Sequence, residues 1–166
     1  MHFRLRQDVE SWFKHIKDEK PIKTMFDRYY LCFILGLAAD RRSTPEKMCV
    51  KVSDIIDYFI TEYRPYQRLI TGLLVRAELS RTGIEITERK EISKFFIDYI
   101  EPNSPTQLTD LGMTKMNEYA SGGFDYLTEQ VHTQPYTIEE FLRIYMNIFR
   151  KAVEANINWK NILKSK

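Results

Sequence analysis

The side chains able to do chemistry in this chain are few and dispersed. None of its three histidines, His2, His15 and His132, has a second histidine, cysteine or carboxylate at metal-site spacing. Cys32 lies among apolar neighbours that raise a thiol pKa instead of activating it, and Cys49 falls in an alternating stretch. Three carboxylate pairs are the acidic candidates: Asp54 with Asp57, Glu88 with Glu91, and Glu139 with Glu140. The first two are spaced i, i+3, so on a helix each pair presents its oxygens together, as a nuclease-type metal site requires. Asp54, Glu88 and Glu139 also fall in first helical turns, where an acid offsets the helix dipole. No GxxxxGK[ST], GxGxxG or GxSxG occurs, so the sequence shows neither a phosphate cradle nor a nucleophile elbow. These observations argue against an enzyme and call for no cofactor.

Binding chemistry is better represented. Arg41, Arg42, Arg64, Arg68, Arg76 and Arg81 form a basic set. Arg64, Arg68 and Arg76 are expected on the outward side of a helix over residues 66–81. A helix over residues 53–63 before it and a strand at Ile84–Ile86 after it would give a helix-turn-helix with a wing. Glu62, Glu78 and Glu85 interrupt the positive stripe, which leaves a solvated face as the competing reading. Ten tyrosines exceed what a core easily buries with hydroxyls satisfied, and tyrosine is favoured at protein interfaces. The last residues, NINWKNILKSK (156–166), form a basic amphipathic tail. Trp159 and Lys160 are its candidate contacts for a partner, and docking on the domain itself is the alternative.

Positioning these residues falls to a helical frame. The run Tyr29–Ala39, YYLCFILGLAA, has eleven residues without a charge, too short for a bilayer, which needs about 20. It suits a helix buried on most of its circumference. Thr24 and Asp27 form a shortened capping box at its start, and Asp40 marks its end. Leu5, Val9, Trp12, Phe13 and Ile16 recur at helical spacing before it. Residues 48–52 alternate and are expected to pair with 84–86 in a small ribbon. In the helix over 66–81, Leu69, Ile70, Leu73, Leu74 and Ala77 are expected inward, with Gly83 as terminator. A helix over 88–100 precedes the loop EPNSPT (101–106), and Thr109 opens the next helix through Leu111, Met116, Tyr119 and Ala120. Gly122-Gly123 is expected to stop or kink that helix, with Phe124–Val131 forming a further short one. A capping box at Thr137–Glu140 starts a helix burying Phe141, Leu142, Tyr145, Ile148, Phe149 and Ala152.

The composition supports that frame. Hydrophobic residues make up 43% of 166, Gly and Pro number only six each, and 25 basic against 23 acidic residues give a net charge of +2. The near balance neither demands nor excludes nucleic acid. Two cysteines, no signal-peptide h-region and no transmembrane segment lead to an expectation of a cytoplasmic protein without membrane contact. The fold class is mainly α. One multi-helix domain over 1–155 carries at most one short two-stranded β-ribbon, with a winged-helix-like middle as one arrangement, and 156–166 is the tail.

Two segments carry a family resemblance. KPIKTMFDRYYLCFILGLAADRR (20–42) resembles the opening of small helical proteins encoded beside bacterial DNA-defence systems. LTDLGMTKMNEYASGGFDYLTEQV (108–131) is similar to their later half, where a helix ends in a YA-GG-hydrophobic turn. These are phosphorothioation-associated small proteins and the middle subunits of three-component antiphage systems with an SMC-type ATPase, including Lamassu-type complexes. The resemblance implies a non-enzymatic subunit bridging an SMC-type ATPase to an effector nuclease, with DNA contacted directly or indirectly. It supplies no catalytic residues. Two alternatives stand beside it: a winged-helix-like DNA-binding regulator using the arginines, and a metal-dependent hydrolase using Asp54 and Asp57.

Overall fold

The computed structural model describes residues 1–44, 50–84 and 87–164, with side chains through residue 157. Among them the chain runs β1 (Arg4–Arg6), α1 (Gln7–Trp12), α2 (Met25–Ala38), β2 (Val52–Asp54), α3 (Gln67–Thr82), α4 (Arg89–Tyr99), α5 (Asp110–Gln130) and α6 (Ile138–Lys164). The mainly α expectation holds, with one two-stranded antiparallel ribbon. No helix among the described residues is long and apolar enough to cross a membrane.

Helix α2 forms where its caps place it. The Thr24 hydroxyl accepts from the Asp27 amide at 3.0 Å, and the Asp27 carboxylate accepts from the Thr24 amide at 2.7 Å, so two free donors of the first turn are satisfied. It stops at Asp40, which takes a left-handed φ of 52° that aspartate tolerates better than most residues. Tyr29, Cys32, Phe33 and Leu35 are all but sealed from solvent, as the uncharged run predicts.

The crossing partner of α2 is α5, capped by the Thr109 hydroxyl, which accepts from the Gly112 amide at 3.1 Å. Here Gly122-Gly123 departs from expectation. The pair lies inside an unbroken α5, and Phe124–Gln130 continue the same helix. The reason is proximity. A Cβ on Gly123 would stand 1.8 Å from the Cys32 carbonyl oxygen, and one on Gly36 would stand 2.0 Å from that of Tyr119. The glycines are spent on backbone approach between two helices, not on a left-handed turn.

The first eighty residues hold the other corrections. Leu5, Val9, Trp12, Phe13 and Ile16 are buried as predicted, but across a strand, a two-turn helix and tight turns instead of one helix. β1 pairs with β2 in the register Arg4↔Asp54, Leu5↔Ser53 and Arg6↔Val52. Phe3 extends the ribbon, donating to Ile56 O and accepting from Ile55 N at 2.8 Å each. Those bonds take the backbone groups that a helix over 53–63 would have used, so that helix is absent. Phe59 instead enters an aromatic cluster with Phe3 and Phe26, its ring centroid 5.1 Å from that of Phe3. The helix-turn-helix arrangement is therefore not formed. Of the predicted ribbon partners, residues 48–49 and 85–86 lie outside the described residues.

Helix α3 ends as predicted, at Gly83 with φ 72°, but its buried face is rotated. Thr71, Val75 and Glu78 turn inward with Ile70 and Leu74, while Leu69 is 61% exposed and Leu73 37%. Val75 packs with Phe95 and Tyr99 of α4 in a second, smaller core, and that contact sets the rotation. Leu142, also expected inward, is exposed for the same kind of reason: its helix uses a narrower face. At α6 the Thr137 hydroxyl accepts from the Glu140 amide at 3.2 Å, and the helix runs to Lys164 without a break at 155.

The glycines separate by what surrounds them. Gly36→Ala and Gly123→Ala should each destabilise by about 3 kcal/mol or more, because a methyl meets backbone that cannot yield. Gly72→Ala, whose Cβ meets nothing within 4 Å, should stabilise by up to ~1 kcal/mol through helix propensity. Urea unfolding midpoints at constant m-value measure both effects.

Candidate functional site

The structure divides the basic set into two groups. Arg41, Arg42 and Arg81 join one ion-pair network where the C-terminus of α2 meets α3 and α5. Arg41 clasps Glu129 in a two-pronged pair at 2.7 and 3.1 Å. Arg42 donates to both oxygens of buried Glu78 at 2.9 and 3.0 Å and lies 4.0 Å from Glu118. Arg81 pairs with Asp40 at 2.6 Å and donates to the Tyr119 hydroxyl at 3.0 Å. Lys115 binds Glu118 at 2.9 Å. Four cations thus face the four carboxylates Asp40, Glu78, Glu118 and Glu129, leaving no local excess of positive charge among the described residues to attract phosphate.

The network is a clamp on the fold. Glu78 also accepts from the Tyr99 hydroxyl at 2.9 Å, so one buried carboxylate ties α3 to α4 and to the loop after α2. Burial, then the bond to Glu78, raises the Tyr99 pKa above the usual phenol value. Burial, then the Glu78 charge, does the same for Tyr119. Tyr29, Tyr63 and Tyr145 are raised chiefly by burial. The core therefore absorbs much of the tyrosine excess, and the exposed rings are Tyr58, Tyr66 and Tyr136.

Arg64, Arg68 and Arg76 form the second group. All three are exposed and have no ion-pair partner among the described residues. Leu69 and Leu73 lie between them on the outer side of α3. On one flank Leu73, Arg76 and Ala77 border an apolar groove of about 250 Å³, whose other walls include Leu37 of α2 and Phe149 and Val153 of α6. The side chains of Trp159 and Lys160 lie outside the described residues, although their backbone continues α6. Asn156, one turn earlier, donates to the Ala38 carbonyl at 3.2 Å and lays that stretch of α6 against the end of α2.

The acidic pairs do not assemble into a metal centre. Asp54 is on β2, where it accepts from Arg4 Nε at 3.1 Å, and no helix places Asp57 beside it. No group of three or more histidine, cysteine or acidic residues able to hold a metal ion occurs among the described residues. Burial pushes the Cys32 thiol up to about 12, as its apolar neighbours imply. His15 stacks on Tyr136 with centroids 4.4 Å apart.

Sequence reasoning missed two arginines that sit inside the fold. Arg6 donates to Asp8, Ser121 and Asp125 and lies over the Phe124 ring. Arg28 holds Glu10 at 2.8 Å and the carbonyls of Lys17, Ile22 and Lys23. Both anchor the N-terminal segment onto α2 and α5. Their partners are spread over up to 119 residues of sequence, so no local pattern announces them.

The division of the arginines is measurable. Arg42→Ala should cost about 2 kcal/mol, because it leaves the buried Glu78 carboxylate without its charged donor. Arg64→Ala, Arg68→Ala and Arg76→Ala should each stay within about 0.5 kcal/mol of the parent in the same denaturant titration. The tyrosines add a pH dependence. Their neutral forms are favoured by folding, so the stability they contribute is complete below pH ~10 and is lost as pH rises above it. Absorbance at 295 nm should show these phenols ionising only together with loss of helical circular dichroism.

Comparison with protein-family models, with curated protein sequences and with solved structures finds no match to this chain.

Proposed function

We propose that this chain is a non-enzymatic accessory subunit that binds a larger protein through the groove bounded by α2, α3 and α6. The carrying observation is the outer face of α3, where Leu69 and Leu73 stand exposed among arginines with no ion-pair partner among the described residues. An exposed leucine beside an exposed cation at the groove suits an amphipathic segment bearing acidic side chains: the apolar residues fill the groove against Leu73 and a carboxylate meets Arg76. The resemblance read in the sequence at 20–42 to subunits of bacterial DNA-defence complexes suggests an SMC-type ATPase or its effector nuclease as the source of that segment, whereas the helix end that carried it at 108–131 is not formed. On this reading DNA is met through the partner, and cytoplasmic location follows from the company the chain keeps.

The second reading is a DNA-binding regulator, favoured by the same free arginines. Against it stand the absent helix over 53–63 and the neutralised group Arg41, Arg42 and Arg81.

Co-expression with the proteins encoded beside it should give a stoichiometric complex by size-exclusion chromatography with light scattering. Leu73→Asp should weaken that complex at least tenfold while leaving thermal unfolding near the parent. A complex indifferent to both Leu73→Asp and Arg76→Glu places the interface elsewhere and sinks this reading. Tight duplex DNA binding that falls steeply with salt and is lost in the Arg64/Arg68/Arg76 triple alanine variant would replace it with the regulator.

A further inference from the structure

The opposite flank of α3 carries a second cleft, independent of the partner groove. It opens between α3 and α4 with a volume of about 370 Å³, within the range of small-molecule sites. Val75, Phe96, Ile100 and Pro102 make its walls apolar, and Arg68, Thr71 and Gln107 contribute the polar groups. Three features within about one turn of α3 meet there. Arg68 carries a charge with no ion-pair partner among the described residues. Thr71 is 95% buried, and its hydroxyl is the buried side-chain oxygen left without a hydrogen bond among the described residues. Gly72 is the glycine the fold does not need. Gly36, Gly112, Gly122 and Gly123 each face backbone closer than 3.0 Å and Gly83 has φ 72°, whereas a Cβ on Gly72 meets nothing within 4 Å.

Two of these features disfavour the empty protein. A buried unpaired hydroxyl is destabilising, and glycine is the weakest helix former after proline in a helix interior. Together they describe a site shaped for an occupant. We propose that this cleft binds a small amphipathic carboxylate, an aryl- or alkyl-substituted acid. The carboxylate pairs with Arg68, the apolar body lies over Gly72 between Val75 and Phe96, and Thr71 completes its hydrogen bonding to the carboxylate. Threonine in a helix populates two χ1 wells, so its hydroxyl turns toward the ligand without strain in the backbone. A carboxylate is preferred to a phosphate because Arg68 is the one cation among the lining residues, and with the Thr71 hydroxyl and the Gln107 amide it matches a single planar anion against otherwise apolar walls.

Isothermal titration of the full chain with 4-phenylbutanoate tests this, with 4-phenylbutanamide as the neutral control. Saturable binding of the acid is expected, about tenfold tighter than the amide, the effect of one charge-assisted hydrogen bond. Arg68→Gln should weaken the acid about tenfold, and Gly72→Leu should abolish binding by filling the cleft. Thr71→Val should weaken the acid about fivefold yet raise the melting temperature, since the unpaired hydroxyl is gone. That opposition separates a ligand contact from a packing role. Equal affinity for acid and amide, or wild-type affinity in both Arg68→Gln and Thr71→Val, would overturn the proposal, as would the absence of saturable binding. A phenylalanine-terminated peptide with a free carboxylate binding at least tenfold tighter than 4-phenylbutanoate would overturn it in favour of a protein C-terminus. Arg68 is an exposed side chain, so its variant carries the test even where Gly72→Leu fails to fold.

Discussion

The structure depends on one close approach: the backbones of α2 and α5 meet where Gly36 faces Tyr119 and Gly123 faces Cys32. A side chain at either glycine would intrude on a carbonyl at 2.0 Å or less, so only hydrogen fits. Each glycine weakens its own helix, and the close packing of two long, largely buried helices offsets that loss. Everything else is hung on this pair. The ribbon and the N-terminal aromatic cluster cover one side of it, and α6 lays Phe141, Tyr145, Ile148 and Ala152 on another. Arg6 and Arg28 then pin the N-terminal segment in place through carboxylates and carbonyls that would be costly to leave unpaired.

This arrangement determines which charges are free to act. Where α2 ends, its arginines fall beside acids of α3 and α5 and are consumed in holding those elements together. Along the outer face of α3 no ion pair forms among the described residues, and Arg64, Arg68 and Arg76 stay exposed. The same rotation of α3 that buries Glu78 for Arg42 and Tyr99 also exposes Leu69 and Leu73. Structural demand on one side of the helix thereby produces the binding chemistry on the other. The two flanks of α3 differ in kind: one is an apolar groove against α2 and α6, the other a cleft against α4 that holds a buried hydroxyl without a hydrogen bond among the described residues.

Legibility in the sequence followed the range of the interaction. The Thr24–Asp27 box, the Thr109 cap, the Gly83 terminator and the loop over 101–106 all depend on groups within a few residues, and each stands where the sequence places it. The helical periodicity of Leu5 to Ile16 identified the buried positions but not the conformation, because Phe3–Arg6 found a strand partner some fifty residues away. The segment 53–63 has the apolar spacing of a helix and is diverted by that same pairing. For the candidate site, the exposed arginines of α3 were visible as a stripe. The neutralisation of their neighbours was not, since Arg41 and Glu129 are 88 residues apart.

By itself the sequence determined the helical class, the buried identity of Tyr29–Ala39, the main caps and the absence of recognisable catalytic motifs, because these rest on composition and on contacts within one or two turns. Tertiary structure alone decided that Gly122-Gly123 is a crossing point instead of a stop, that the ribbon joins the N-terminus to residues 52–54, and which arginines are spent. The physical reason is common to all three. A glycine, a strand edge or a guanidinium accepts several roles with similar local energy, and only the neighbour brought by the fold selects among them.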